Sequence, residues 1–510
     1  MRIKKTENIL KVFLFIPLLI YFGKRSLIAY DEGFYVLQAK YILENSNWIG
    51  PTFLDSLSND RTIGIQFLLA LSRSIFGESL FALYLPILLA SALMIFSTYN
   101  LHKELLNDKN PIYSALILST SFLWISFSNM ATQDIVFASF TSFGILCSIK
   151  AFKTNKNNYL IFSGMWIGFA FMLKTFLTVI PFLAIFPFLF RNKIIYKKYF
   201  WIGFIIGFLP FIIWSYKYIA IYSFSTYAGI FRKFMILSKN NTFTQPPYYY
   251  LWNLSVNFLP WTILSIIGFI QASKMKSLNK YFLFFYPLLT ITLLSFFSTK
   301  TPYYPLQIFS IISLNAYVGI NFLISKNEGK LIFFLEKLNY LFIPIIIILT
   351  VIFINYKGIF DIDIRAKVLL SFGGTIFGLS WIFYNFVNKD KKKLFLSILG
   401  PYILIISLVQ SGLITDKSKS LRIVSEDLIK EEQLQNKPIY ILNMDKMDSI
   451  SMSKIIKIMN QMPKLGIVIK NLNQLNKNNY IWTTSNNYND EFYVVNENKI
   501  FHPWKLMYKK

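Results

Sequence analysis

Apolar runs of about twenty residues recur along this chain from Ile9 to about Leu413, each close to the length of a helix that crosses a bilayer. A backbone immersed in hydrocarbon must satisfy its own N–H and C=O groups, so runs of this kind fold as helices. Spanning helices are expected at 9–29, 80–101, 111–130, 134–150, 159–174, 176–190, 199–219, 251–271, 281–298, 303–324, 331–355, 367–387 and 394–414. The stretch 159–190 also reads as a tight helical hairpin through Lys174 and Thr175. The result is an all-α polytopic membrane protein with ~13 spans. With 55% hydrophobic and only 15% charged residues, the 510-residue chain is no string of soluble domains.

Charge gives the chain its orientation. The net charge of +27 would suit a nucleic-acid binder, but the lysines sit in short loops between apolar runs and no nucleic-acid motif accompanies them. Lys103 and Lys109 share one loop, followed in alternate loops by Lys150, Lys153 and Lys156, then Arg191, Lys193, Lys197 and Lys198. Lys274, Lys276 and Lys280 come next, then Lys326 and Lys330, then Lys389–Lys393. All fall on the face of Lys4 and Lys5, which the positive-inside rule makes cytoplasmic. The partners these clusters imply are anionic membrane lipids. The basic start before the first apolar run resembles a signal peptide but lacks a small-residue cleavage site, so an uncleaved first helix is expected. Cys147 is the only cysteine and His102 and His502 the only histidines. Disulfides and a histidine-built metal site are therefore not expected.

Three parts face the other side. The first outer loop, 31–79, carries a helical pattern at Phe34, Leu37, Tyr41 and Ile42, a turn-rich piece at 47–59, and an apolar stretch, 63–76, too short to span. Both apolar pieces read as helices in the interface plane. The second is a long polar and aromatic loop, 220–250, of a length common in binding loops. The third is the tail, 415–510, with a helical stretch near 421–435 and β-like runs at 439–442, 466–469, 480–484 and 492–495. That composition predicts a small soluble α/β domain after a transmembrane domain of 1–414.

The residues that membrane energetics make unusual gather at this outer side. Asp31 and Glu32 end the first span, Arg61 lies in the first outer loop, Asp134 at a helix boundary, Lys174 at a turn, and Lys300 beyond a span. Each has a plainer reading. The acidic pair can simply end a helix in water, and Asp134 suits a helix N-terminus. The cations can snorkel, and Tyr303, Tyr304 and Tyr248–Tyr250 can form an interfacial aromatic belt. Together they suggest a cavity with cations for an anionic lipid headgroup and carboxylates for acid–base work.

At these residues the chain resembles the GT-C membrane glycosyltransferases, specifically the dolichyl-phosphate-mannose–protein mannosyltransferase superfamily and its bacterial branch, which includes the aminoarabinose transferase of lipid A. The matching pieces are Asp31-Glu-Gly-Phe-Tyr35, Asn47-Trp-Ile-Gly-Pro-Thr-Phe53, Leu68-Leu-Ala-Leu-Ser-Arg-Ser-Ile-Phe-Gly77 and Asp134. Gly168-Phe-Ala-Phe-Met-Leu-Lys174 follows, then Pro246-Pro-Tyr-Tyr-Tyr250, Leu259-Pro-Trp261 and Phe296-Phe-Ser-Thr-Lys300 with Tyr304-Pro305. They keep the family's order across residues 1–324, and the C-terminal domain carries none of the resemblance. Two departures stand out: Asp60-Arg61-Thr62 replaces a common Glu-Lys-Pro, and Gln245 stands where many relatives have a histidine.

The resemblance implies an inverting transfer of sugar from a polyprenyl-phosphate donor on the periplasmic face of a bacterial inner membrane, with the N-terminus cytoplasmic and the C-terminal domain periplasmic. Asp31 matches the family's first-loop acid, the base or acceptor-positioning group; Glu32 is its neighbour, and Asp134 matches the second acidic position. Lys174 and Lys300 match lysines that face the donor phosphate, and Arg61 could grip phosphate bidentately. Gln245, Tyr248, Tyr303 and Tyr304 would line the pocket of donor and acceptor. The acceptor stays open among lipid, glycan and protein. No cofactor is fixed, and the departure at Gln245 leaves a divalent cation there in question. A polytopic transporter or flippase without transfer chemistry is the competing class, although no internal repeat supports it. A non-catalytic scaffold would leave the outer charges unexplained.

Overall fold

The computed structural model describes residues 11–21, 25–53, 56–57, 61–108, 110–239, 244–325, 329–356, 363–437, 439–442, 448–485, 490–496 and 498–510. Lys4, Lys5, Asp60, Lys109 and Lys326 lie outside the described residues, as does the start of the expected first span. The chain divides into two units: a helical unit of Met1–Tyr21, Ile87–Asn129 and Gln133–Ile414, and a mixed unit of Phe22–Pro86, Met130–Thr132 and Thr415–Lys510.

Among the described residues nine helices are long and apolar enough to cross a membrane, and two sharply bent pairs raise the number to as many as 11. The chain is a multi-pass membrane protein. The run Asn157–Arg191 is interrupted at Thr175 and turns back there as a hairpin: Phe188, near its end, packs on Phe152, just before its start, with ring centroids 5.7 Å apart. Two others are broken. Pro111–Ser119 meets Phe122–Ser128 at 69°, and Tyr249–Asn257 meets Thr262–Lys274 at 120°. Pro260 offers no N–H to continue a helix, and the Thr120 and Ser121 hydroxyls bond back to the carbonyls of Leu116 and Leu118. The two breaks satisfy one another: Phe122 N–H donates to Leu259 O (3.1 Å) and Trp261 Nε1 to Thr120 Oγ1 (3.1 Å). That is the condition for irregular backbone at membrane depth.

Asn157–Lys174 packs against Lys198–Tyr222 through glycines. A Cβ on Gly168 would stand 2.1 Å from the Gly207 carbonyl carbon, and one on Gly203 would stand 1.9 Å from Ile161 O. Small residues let the backbones touch, a common solution where lipid offers helices no hydrophobic drive to associate. The other face of Lys198–Tyr222 leaves Ile205, Ile212, Ile213 and Tyr216 exposed, a surface suited to acyl chains.

The stretch 220–250, expected as an irregular loop, holds a helix, Phe224–Lys239. Its first turn is anchored on the preceding span: Tyr227 is buried beside Trp214 and Tyr218, and its hydroxyl donates to Ser215 Oγ (3.0 Å). Packing of one aromatic residue outweighs a polar composition that reads as loop.

In the mixed unit a tight turn at Ala29–Gly33 leads into a helix, Phe34–Asn45. A short hairpin follows, β1 (Thr52–Phe53) with β2 (Ser56–Leu57), then a second helix, Gly64–Phe76. The tail forms a five-stranded sheet from β3 (Ile439–Leu442), β4 (Ile467–Ile469), β5 (Tyr480–Thr483), β6 (Phe492–Asn496) and β7 (Lys505–Lys509), in the order β4-β3-β5-β7-β6. β3 runs parallel to β4 and β5, and β7 is antiparallel to both its neighbours. Helices Lys419–Glu431 and Ser449–Gln461 contribute Leu421, Leu428, Ile455 and Met459 to a core with Trp482, Trp504 and Leu506; Ala29 and Leu37 join that core.

Candidate active site

In the mixed unit the Ala29–Gly33 turn separates two adjacent carboxylates. Asp31 takes φ 50°, ψ −81°, a backbone state that costs a non-glycine residue on the order of 1–3 kcal/mol. Its side chain is 43% exposed, with Arg61 Nη1 at 3.8 Å from Oδ1. The guanidinium is itself held, donating to the Tyr35 hydroxyl (2.9 Å) and lying over the rings of Phe34 and Tyr35. Such a fixed cation restricts where the Asp31 carboxylate can point.

Glu32 does the opposite. It is 2% exposed. Its Oε1 accepts from the Tyr84 hydroxyl (2.9 Å) and Ala131 N–H (2.8 Å), and its Oε2 from Ile28 N–H (3.1 Å). Burial pushes its pKa up, opposed by these three bonds and by the nearby Lys417 ammonium. Lys417 is pushed down in turn by burial, opposed by Glu32. Arg25 covers the Tyr84 ring at 4.4 Å.

In the helical unit two cations are placed differently. Lys174 ends the helix Asn157–Lys174, where Thr175 takes φ 40°. Its ammonium contacts Asp134, at the start of Gln133–Thr154; the two side chains are 6% and 4% exposed. The rings of Phe137, Tyr303 and Tyr304 surround the same ammonium at 5.7, 5.0 and 5.1 Å. A carboxylate thus neutralises Lys174, and three aromatic faces add cation–π attraction.

Lys300 carries no such neutralisation. Its Nζ donates to the main-chain carbonyls of Gln245 (2.9 Å) and Phe297 (2.6 Å). Among the described residues no carboxylate lies within ion-pairing distance. Burial lowers its pKa. The arrangement depends on a bridge between Thr244 and Thr299, reinforced by Gln245 N–H to Ser298 O (3.2 Å). Gln245 therefore contributes its carbonyl, while its own side chain is exposed; Tyr248 is also exposed.

The structure brings together Asp31 with Arg61, Lys174 with Asp134, Tyr303 and Tyr304, and Lys300 with Gln245. Sequence reasoning missed Tyr84, Lys417, Tyr35, Phe137 and the Ala131 amide. None carries a local signal, because each acts through a partner far along the chain. Among the described residues no three His, Cys, Asp or Glu side chains gather as a metal set would require.

A family profile described as dolichyl-phosphate-mannose-protein mannosyltransferase matches residues 60–216. An undecaprenyl phosphate-alpha-4-amino-4-deoxy-L-arabinose arabinosyl transferase of Pseudomonas fluorescens is 23% identical over 48% of this chain and 44% of its own length. The chain thus spans less than half of that relative. The corresponding transferase of Wigglesworthia glossinidia brevipalpis is 24% identical over 75% of this chain and 71% of its own. The crystal structure of ArnT from Cupriavidus metallidurans bound to undecaprenyl phosphate superposes with TM-score 0.79 over 99% of this chain and 98% of that one, at 11% identity. Its apo form gives 0.72 over 92% and 87%. The fold is shared nearly end to end.

Proposed function

We infer that this chain, which belongs to the GT-C membrane glycosyltransferases on the bacterial arabinosyltransferase-like branch of the mannosyltransferase superfamily, moves a sugar from a polyprenyl-phosphate donor to an acceptor. The relatives' names make an undecaprenyl-phosphate-linked amino sugar the first donor to test and a lipid the first acceptor. The reaction would invert the anomeric carbon and take place on the periplasmic face of the inner membrane, with the tail, 415–510, as a periplasmic domain.

Transfer from a lipid phosphate builds negative charge on the departing phosphate. A cation fixed in advance where that charge develops lowers the barrier without reorganising. Lys300 is suited to this role, since neutral carbonyls hold its ammonium and leave its charge uncancelled. It is the observation that carries the reading. Lys174 is largely spent on Asp134, so its part is to shape the pocket with Tyr303 and Tyr304. Asp31, exposed and steered by Arg61, would accept the proton of an acceptor hydroxyl, a contribution typically of ~10²–10⁴-fold. For an acceptor phosphate, already ionised, it would orient the nucleophile instead.

The test is incubation of membranes holding the chain with radiolabelled undecaprenyl-phosphate sugar and lipid acceptor. Labelled lipid from the wild type and none from an inserted Asp31→Asn variant is expected. Wild-type transfer by that variant removes Asp31 from the chemistry; no transfer by the wild type with any lipid-linked sugar ends the reading.

A further inference from the structure

We propose that Glu32 is a positioning residue whose carboxylate holds the Asp31 backbone in its positive-φ state and so sets the direction of the Asp31 side chain. The inference rests on Asp31 as the acceptor-side carboxylate. It removes Glu32 from the set of groups that touch substrate.

Both oxygens of Glu32 are engaged by three donors from Ile28, Tyr84 and Ala131, at 2% exposure. An acid or base in the reaction would have to leave these bonds and reach a substrate from inside the core. The bonds instead pin the residue directly after Asp31 to three separate places. Ile28 precedes the turn and also accepts Gly33 N–H at 3.1 Å, so the turn is closed across its base. On either side the chain is fixed again: the Tyr30 hydroxyl donates to Ser449 O (2.8 Å), and Asn460 Nδ2 donates to Gly33 O (3.0 Å). A side chain at Gly33 would meet Ile28 O at 2.5 Å and Ile456 at 2.7 Å, which leaves the turn no room to relax there. Asp31 is thus an exposed apex on a clamped base. A strained backbone persists only where its surroundings over-determine it; the Phe34 N–H donates to the Asp31 carbonyl itself, and Glu32, the next residue, adds three bonds to more distant parts of the chain. Small errors of placement at such a carboxylate are expensive, since about 1 Å of misplacement can cost ~10²-fold.

Two measurements test this together. In the transfer assay, Glu32→Gln keeps the shape but cannot accept at both ends; turnover should fall about tenfold or more while the donor KM stays within about threefold. Tyr84→Phe removes one donor and should give a smaller loss of the same kind, with the double variant less than multiplicative. The second measurement needs no sugar transfer. With the buried Cys147 replaced by Ala, Asp31→Cys is alkylated by a water-soluble maleimide alone and with Glu32→Gln or Tyr84→Phe. An alkylation rate changed by about threefold or more in either pairing supports positioning; if Glu32→Gln fails to insert, the Tyr84→Phe pairing decides alone. Unchanged alkylation overturns it, whatever turnover does, and points to Glu32 acting on substrate directly. Changed alkylation in a chain that transfers no sugar defeats the proposed function and leaves the positioning of residue 31 standing.

Discussion

Removing one partner of the Asp134–Lys174 pair should cost far more than removing both. The side chains are 4% and 6% exposed, and breaking a buried pair leaves an uncompensated charge worth about 3–5 kcal/mol of destabilisation. The two single variants should differ. After Asp134→Asn the ammonium still faces Phe137, Tyr303 and Tyr304 at 5.0–5.7 Å; cation–π attraction at its low end, about 0.5 kcal/mol for each of the three rings, reduces the loss to about 1.5–3.5 kcal/mol. After Lys174→Met the carboxylate keeps the help of its helix N-terminus, about 0.3–1 kcal/mol, and the loss stays near 3–4 kcal/mol. The double variant buries no charge and should lose about 1–2 kcal/mol. Thermal melting of the four proteins in detergent reads the order: wild type highest, then double variant, then Asp134→Asn, then Lys174→Met. Losses that simply add in the double variant would refute the pair as a coupled unit. The transfer assay on the double variant then isolates chemistry from stability. Full transfer makes the pair scaffolding; a well-folded but inactive protein makes one of the two a group that meets substrate.

Three further outcomes follow from particular contacts. Lys300→Met should lower turnover by about 10²–10³-fold in the transfer assay, the usual cost of one preorganised charge stabiliser, and unimpaired turnover would exclude Lys300 from the phosphate. Lys40, outside the spans, is lowered from 10.5 to about 8 by burial, with Glu44 opposing; its Nζ donates to Met462 O at 2.7 Å. The folded chain therefore binds this proton less tightly than the unfolded one, so Lys40 contributes stability that rises between about pH 8 and 10.5 by as much as ~3 kcal/mol. Melting scans across that range should show the rise in wild type and a flatter curve in Lys40→Met. Gly168→Ala should cost about 3 kcal/mol, because its Cβ would collide with backbone at Gly207 and Phe208. Gly77→Ala, at φ 79° and ψ 175° where glycine is nearly obligatory but with nothing within 4 Å, should cost about 1–3 kcal/mol from backbone strain alone; a Gly168→Ala protein that melts with the wild type would refute the steric account.

What the sequence reveals here divides along a physical line. Length and hydropathy are local sums, so the spans are legible, and so are the two amphipathic helices of the first loop, Phe34–Asn45 and Gly64–Phe76. Four of the five tail strands are legible for the same reason; β7 escapes because His502-Pro-Trp-Lys505 reads as loop, and Ser449–Gln461 because its pattern of isoleucines suits strand or helix alike. Burial of charge is not a local sum. Asp31 and Glu32 are chemically near-identical neighbours, yet one is an exposed apex and the other a buried hub. The difference comes from donors on Tyr84 and Ala131, 52 and 99 residues away. Lys174 and Lys300 likewise look alike, and only the fold shows that one cation is cancelled by Asp134 while the other rests on neutral carbonyls. A carboxylate or ammonium matters to chemistry through the charge its neighbours leave uncancelled. On that measure Lys300 is the stronger candidate for the leaving phosphate, and Asp31, half-buried beside Arg61, offers a carboxylate that Glu32, sealed by three donors, does not.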